Sequence, residues 1–102
     1  FEVTETFGVN ILAADQKPLS DLFAQHGEHA GPMAGAPYRI GSIGVPILEG
    51  LMGWAECRVE ERYAGGDHII VVGRVEEMAI ERPEAGPLLF YSGTYHAVGG
   101  TL

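Results

Sequence analysis

The stretch from Met52 to Ile80 limits the fold more than any other part of the chain. Along Met52 to Tyr63 the residues alternate, with Trp54, Glu56, Arg58, Glu60 and Arg62 on one face and Ala55, Cys57, Val59 and Tyr63 on the other. A period of two is that of a strand, whose successive Cβ atoms point to opposite sides. Ala64-Gly65-Gly66-Asp67 then interrupts the run as a four-residue turn. Glycine enters the positive-φ region without steric cost, and an aspartate carboxylate bonds to the turn backbone. From His68 to Ile80 the alternation returns, with Ile69, Val71 and Val75 on one face and Ile70, Val72 and Arg74 on the other. Two β-branched runs joined by a glycine turn define a long antiparallel hairpin.

A hairpin needs further elements to cover it. Thr6 to Leu12 (TFGVNIL) reads as a short buried strand. Asp15 stands where an N-cap belongs, ahead of a helix over Gln16 to Gln25 in which Leu19, Leu22 and Phe23 recur at helical spacing; Pro18 is tolerated in its first turn and Gly27 stops it. Gly27 to Val45 has no apolar period and is expected to be a long loop over a site or a partner subunit. Leu88 to Tyr91 and Thr94 to Ala97 read as one last strand interrupted at Ser92-Gly93. The expected fold class is mainly antiparallel β with one clear helix, in strand lengths that suit a small barrel.

Size and charge narrow the functions available. At 102 residues and 46% hydrophobic content the chain is expected to be one domain, residues 1–102. Six Lys and Arg against 14 Asp and Glu give a net charge of −8, which excludes the broad basic surface that nucleic acid or an anionic membrane requires. No apolar stretch approaches the roughly 20 residues of a membrane span. The single cysteine, Cys57, cannot form an internal disulfide, which fits a reducing cytoplasm. The sequence opens on Phe1 without a signal-peptide pattern and is expected to be an excerpt of a longer protein.

Four groupings could carry chemistry. His26 and His29 lack a matching second pair of zinc ligands, so no metal site is expected. A Cys57 nucleophile with His68 as its base competes with a plainer role for Cys57, which shares a face with Ala55 and Val59 and reads as a small buried hydrophobe. Gly41-Ser42-Ile43-Gly44 has neither phosphate-loop pattern and reads as a turn. His68 either closes the hairpin opposite Tyr63 or joins Asp67, Tyr91 and Tyr95 in a site covered by the glycine-rich loop.

Taken together, four stretches resemble the flavin reductase family of FMN-binding split-barrel proteins, the NAD(P)H-dependent components of two-component flavin monooxygenases. They are Phe7-Gly8-Val9-Asn10-Ile11-Leu12-Ala13-Ala14-Asp15-Gln16; Leu19-Ser20-Asp21-Leu22-Phe23-Ala24; Trp54-Ala55-Glu56-Cys57-Arg58-Val59 with Gly66-Asp67-His68-Ile69-Ile70-Val71-Val72-Gly73-Arg74-Val75; and Pro87-Leu88-Leu89-Phe90-Tyr91-Ser92-Gly93-Thr94-Tyr95. The resemblance covers the C-terminal portion of the family domain and implies a split β-barrel that lacks its N-terminal strands here. It implies a homodimer with flavin sites near the subunit interface, FMN or FAD as the flavin, NADH or NADPH as the hydride donor, and a flavin-dependent monooxygenase as the partner. Asn10, Ile11 and Leu12 would lie beside the flavin, with Asp15 and Gln16 at the start of the following helix also on the flavin side. His68, Tyr91 and Tyr95 would lie on the nicotinamide side. Where relatives carry a basic residue followed by Phe, this chain has Glu28-His29-Ala30. Hydride transfer between stacked rings needs orientation and exclusion of water more than acid–base groups, so no obligatory catalytic side chain is expected. The alternatives are a split-barrel electron carrier or sensor that does not use NAD(P)H, and a non-enzymatic β-domain for protein association.

Overall fold

The computed structural model describes residues 5–24 and 32–98. Its elements are β1 (Thr6–Ile11), α1 (Lys17–Ala24), β2 (Tyr38–Ile40), β3 (Pro46–Leu48), β4 (Gly53–Ala64), β5 (Ile69–Ile80), β6 (Leu88–Tyr91) and β7 (Thr94–Ala97), with short 3-10 turns at Pro32–Gly35 and Pro83–Ala85. The central hairpin is present as expected, running antiparallel from Gly53 opposite Ile80 to Ala64 opposite Ile69. On its other side β4 pairs antiparallel with β1, from Thr6 opposite Arg58 to Ile11 opposite Gly53, giving a sheet of order β1-β4-β5. The tip of the hairpin extends beyond β1, and Tyr63, Ile69, Ile70 and Val72 are exposed there.

The ladder slips twice. Glu56 faces Glu77 while Cys57 faces Val75, leaving Glu76 unpaired; Val59 faces Gly73 while Glu61 faces Val72, leaving Glu60 unpaired. Each bulge adds bend and twist to the hairpin.

Four expectations need correction. The segment expected to be a loop to Val45 contains a 3-10 turn and the β2–β3 hairpin, Tyr38 opposite Leu48 and Ile40 opposite Pro46. This region carries the core: Ala36, Ile47, Leu48 and Leu51 are buried together, with Leu12, Leu19, Met33 and Trp54 packed against them. Its strands are three residues long, too short to show a period. The last strand is instead a hairpin of β6 and β7, because Ser92 and Gly93 both adopt positive φ, 53° and 82°, and reverse the chain in two residues. Helix α1 starts at Lys17, and the Gln16 carbonyl, not Asp15, accepts the Leu19 and Ser20 amides. Finally, Tyr63 faces Ile70, while the His68 carbonyl accepts the Gly65 amide at 2.9 Å. The helix stop at Gly27 and the histidines His26 and His29, with Glu28-His29-Ala30, lie outside the described residues.

Candidate functional site

A groove runs along β1. Two hollows of about 360 and 290 Å³ share Gly8, Asn10 and Met33; the first adds Thr6, Phe7 and the turn residues Gly44, Val45 and Pro46, the second Leu12, Phe23 and Leu48. Each is near the lower end of the size of small-molecule clefts, and the walls are mainly apolar, as ring-binding sites are.

Asn10 ties the two walls together. Its Oδ1 accepts the Leu48 amide at 2.7 Å and its Nδ2 donates to the Pro46 carbonyl at 3.4 Å, so one side chain bonds β1 to β3. Two residues earlier, Gly8 lets the walls close, since a Cβ there would overlap the Val45 side chain.

Behind the turn wall sits Glu56, 1% exposed. Its Oε2 accepts the Ser42 amide at 3.0 Å and the Ser42 hydroxyl at 3.1 Å, and its Oε1 accepts the Ile43 amide at 3.1 Å. Burial pushes its pKa up, but the bonds from Ile43, Ser42 and the Val45 backbone outweigh burial and hold the carboxyl below its ordinary value. The alternation along β4 assigned Glu56 to a face rich in charge and left it there; that face is roofed by the 41–45 turn. Glu56 is the residue sequence reasoning missed, and its signal was the Gly41-Ser42 turn, whose inward amides need an acceptor. On the opposite face of β4 Cys57 is buried, and burial pushes its thiol pKa up, which disfavours the thiolate that a nucleophile needs.

The other residues singled out from the sequence divide into four groups. Ile11 is exposed and its carbonyl accepts the Met52 amide; Leu12 lines the groove and its carbonyl accepts the Leu88 amide. Asp15 and Gln16 are engaged internally: Asp15 with Arg82, Gln16 through Oε1 to the Ala13 amide at 2.9 Å and through Nε2 to the Glu49 carbonyl at 2.8 Å.

Tyr95 belongs to a separate hollow of about 330 Å³ that also includes Ala14, Lys17, Leu88 and His96. Its hydroxyl is 2.6 Å from Ser20 Oγ, and Lys17 Nζ lies 5.2 Å from its ring centroid. Tyr91, 74% exposed, meets His96 edge-on at 6.3 Å.

His68 is apart from both. Its imidazole folds back over Gly65 and its Nδ1 is 3.1 Å from the exposed Asp67 carboxylate. Asn10 faces Trp54, ten residues along β4 from Ala64, which at about 3.3 Å per residue puts the hairpin tip roughly 30 Å from Asn10. Within one chain the structure therefore brings Asn10 and Leu12 into one groove and leaves His68, Tyr91 and Tyr95 elsewhere. Among the described residues no group of three or more His, Cys, Asp or Glu is placed to hold a metal, and no helix is long and apolar enough to cross a membrane.

An antiparallel three-stranded sheet, a short helix and two small hairpins make a mainly β protein with a mainly apolar groove along β1. The model of the flavin reductase like domain matches residues 1–99, and the chain belongs to that family. The NADH-dependent FMN reductase AsuE2 of Streptomyces nodosus subsp. asukaensis is 38% identical over 87% of this chain and 49% of its own length. A flavin reductase of Pseudomonas putida is 37% identical over 87% of this chain and 51% of its own. The chain thus spans about half the length of the curated relatives it matches. Among solved structures, the styrene monooxygenase flavin reductase of Pseudomonas putida S12 superimposes with a TM-score of 0.78 at 32% identity, covering 91% of this chain and 58% of that one. The NADH:FAD oxidoreductase SgcE6 of Streptomyces globisporus C-1027, in complex with NAD and FAD fragments, gives 0.81 at 28% identity over 93% of this chain and 56% of that one. The mainly β class implied by the resemblance is the class of these flavin reductase folds.

Proposed function

We propose that the chain is a single domain, the C-terminal portion of an NAD(P)H-dependent flavin reductase whose reduced FMN or FAD serves a flavin-dependent monooxygenase. The observation that carries this is the groove along β1 in a member of the flavin reductase like family. Its residues fit a flavin: Leu12, Phe23 and Met33 offer apolar surface to a ring. Bound flavin supplies the hydride acceptor. Asn10, Ile11 and Leu12 would flank it, Asn10 by setting the separation of the walls, while Asp15 and Gln16 hold the loop that leads into α1. The chain's part in the reaction is to orient the ring and exclude water, and no side chain need gain or lose a proton.

His68, Tyr91 and Tyr95 would bind the nicotinamide nucleotide. The roughly 30 Å between Asn10 and His68 along the hairpin supports a homodimer in which the tip of one subunit reaches the groove of the other. The exposed apolar residues at that tip, Tyr63, Ile69, Ile70 and Val72, favour the same assembly. A buried free thiol at Cys57 suits the reducing cytoplasm, where we place the protein.

The test is a titration of the complete protein with FMN and with FAD, read by the change in flavin fluorescence, followed by NADH and NADPH oxidation with added flavin. Flavin binding with nicotinamide oxidation is the expected result. Flavin binding without oxidation would assign an electron carrier or sensor, and no flavin binding would leave a β-domain for protein association.

A further inference from the structure

We propose that Glu56 is a positioning residue for the flavin groove: it fixes the wall formed by Gly44, Val45 and Pro46, and through that wall the affinity for the flavin. The inference rests on the flavin reading of the groove and names a residue outside the groove lining that controls it. A carboxylate 1% exposed loses its hydration and is retained only where other groups satisfy it. No cation pairs with Glu56 among the described residues. Its donors instead come from one turn, the Ser42 amide and hydroxyl at 3.0 and 3.1 Å and the Ile43 amide at 3.1 Å. Within the turn, Gly41 donates to the Val45 carbonyl at 2.8 Å and Gly44 to the Gly41 carbonyl at 3.1 Å.

Gly41 completes the arrangement, because a Cβ at that position would occupy the space of the Glu56 carboxylate. Beside it Val45 rests on Gly8, which faces Glu56 across the β1–β4 ladder, and Gly44, Val45 and Pro46 line the groove. Glu56 therefore clamps the start of the turn to the sheet, and the residues that follow, Gly44, Val45 and Pro46, are groove wall. A connecting turn of this kind is ordinarily adaptable. Here one buried charge holds it in place.

The experiment compares wild type, Glu56→Gln and Ser42→Ala in the complete protein by three measurements: FMN titration through flavin fluorescence, amide hydrogen exchange at Ser42 and Ile43 without flavin, and NADH oxidation at saturating FMN. Glu56→Gln keeps the shape but turns an NH2 group toward the turn's donors. It should speed exchange at both amides and raise the FMN Kd about tenfold, with kcat at saturating FMN within about twofold of wild type. Ser42→Ala removes one donor of the set and should shift Kd the same way by about threefold, which keeps the proposal open to refutation if Glu56→Gln does not fold. Wild-type binding with an unchanged Kd in both variants would overturn the role of Glu56 alone, as would a loss of kcat without a change in Kd. A wild-type protein that binds neither FMN nor FAD would overturn the flavin reading, and with it the ligand proposed here.

Discussion

Arg82 grips Asp15 with two nitrogens, Nη2 to Oδ1 at 2.7 Å and Nη1 to Oδ2 at 3.1 Å, while its Nε and Nη2 also donate to the Gly50 carbonyl at 3.0 and 2.8 Å. One side chain after β5 thus joins the loop before α1 to the link before β4. The Arg82 hydrogen bond, stronger here than desolvation, lowers the Asp15 pKa. Arg82→Gln and Asp15→Asn should lower Tm by a similar few degrees, measured by thermal unfolding. A change in flavin Kd in Asp15→Asn that Arg82→Gln does not share would mark a direct contact between Asp15 and the flavin.

Asn10 joins β1 to β3 with one acceptor and one donor. Asn10→Ala leaves the Leu48 amide without its partner, and stability should fall by about 1–2 kcal/mol in urea unfolding. The flavin Kd should rise in parallel, because the separation of the walls is no longer set. Asn10→Asp keeps the acceptor for Leu48 and should fall between the two.

Glu56 has a depressed pKa in the folded state. The stability it contributes is therefore fully present above the ordinary carboxylate pKa and is lost as pH falls through the folded value. Stability should decline as pH falls below the ordinary carboxylate range, and Glu56→Gln, which has no proton to take up, should flatten that slope in urea unfolding.

His68 is exposed at the hairpin tip, in contact with Gly65 and Asp67. If it holds the nicotinamide nucleotide in a second subunit's groove, His68→Ala should raise KM for NADH more than it lowers kcat in steady-state kinetics. An unchanged KM would remove His68 from the site.

With a net charge of −8 the chain repels an anionic dinucleotide at long range. Added salt should screen that repulsion and lower KM for NADH over about 0.01 to 0.15 M ionic strength. A rise in KM would instead indicate capture by local cations such as Arg39 or Arg74.

Much of the architecture could be read directly from the residues. The Met52 to Ile80 hairpin was legible because a half-covered strand repeats every two residues over a dozen positions, and Gly65-Gly66-Asp67 has the chemistry of a turn. The strand at Thr6 was legible from its apolar and β-branched run, although it was expected to be buried and Thr6–Ile11 holds no buried residue, with Val9 and Ile11 exposed at the sheet edge; the helix was legible from Leu19, Leu22 and Phe23 at helical spacing, and Cys57 from the face it shares with Ala55 and Val59. The family resemblance carried the family assignment. The β2–β3 hairpin stayed hidden because three-residue strands have no period, and the β6–β7 reversal because Ser92 is not a residue expected at positive φ.

What the sequence determined by itself is therefore the local material: which runs extend, where the chain turns, and which family it resembles. Tertiary structure decided which of those residues meet. It turned Asp15 toward Arg82, set His68 at the hairpin tip away from the Asn10 groove, and buried Glu56 under a turn fourteen residues earlier. Periodicity records which face of its own strand a side chain occupies. What covers that face depends on segments distant in sequence, and at Glu56 only the folded chain brings the donors of Ser42 and Ile43 to the carboxylate.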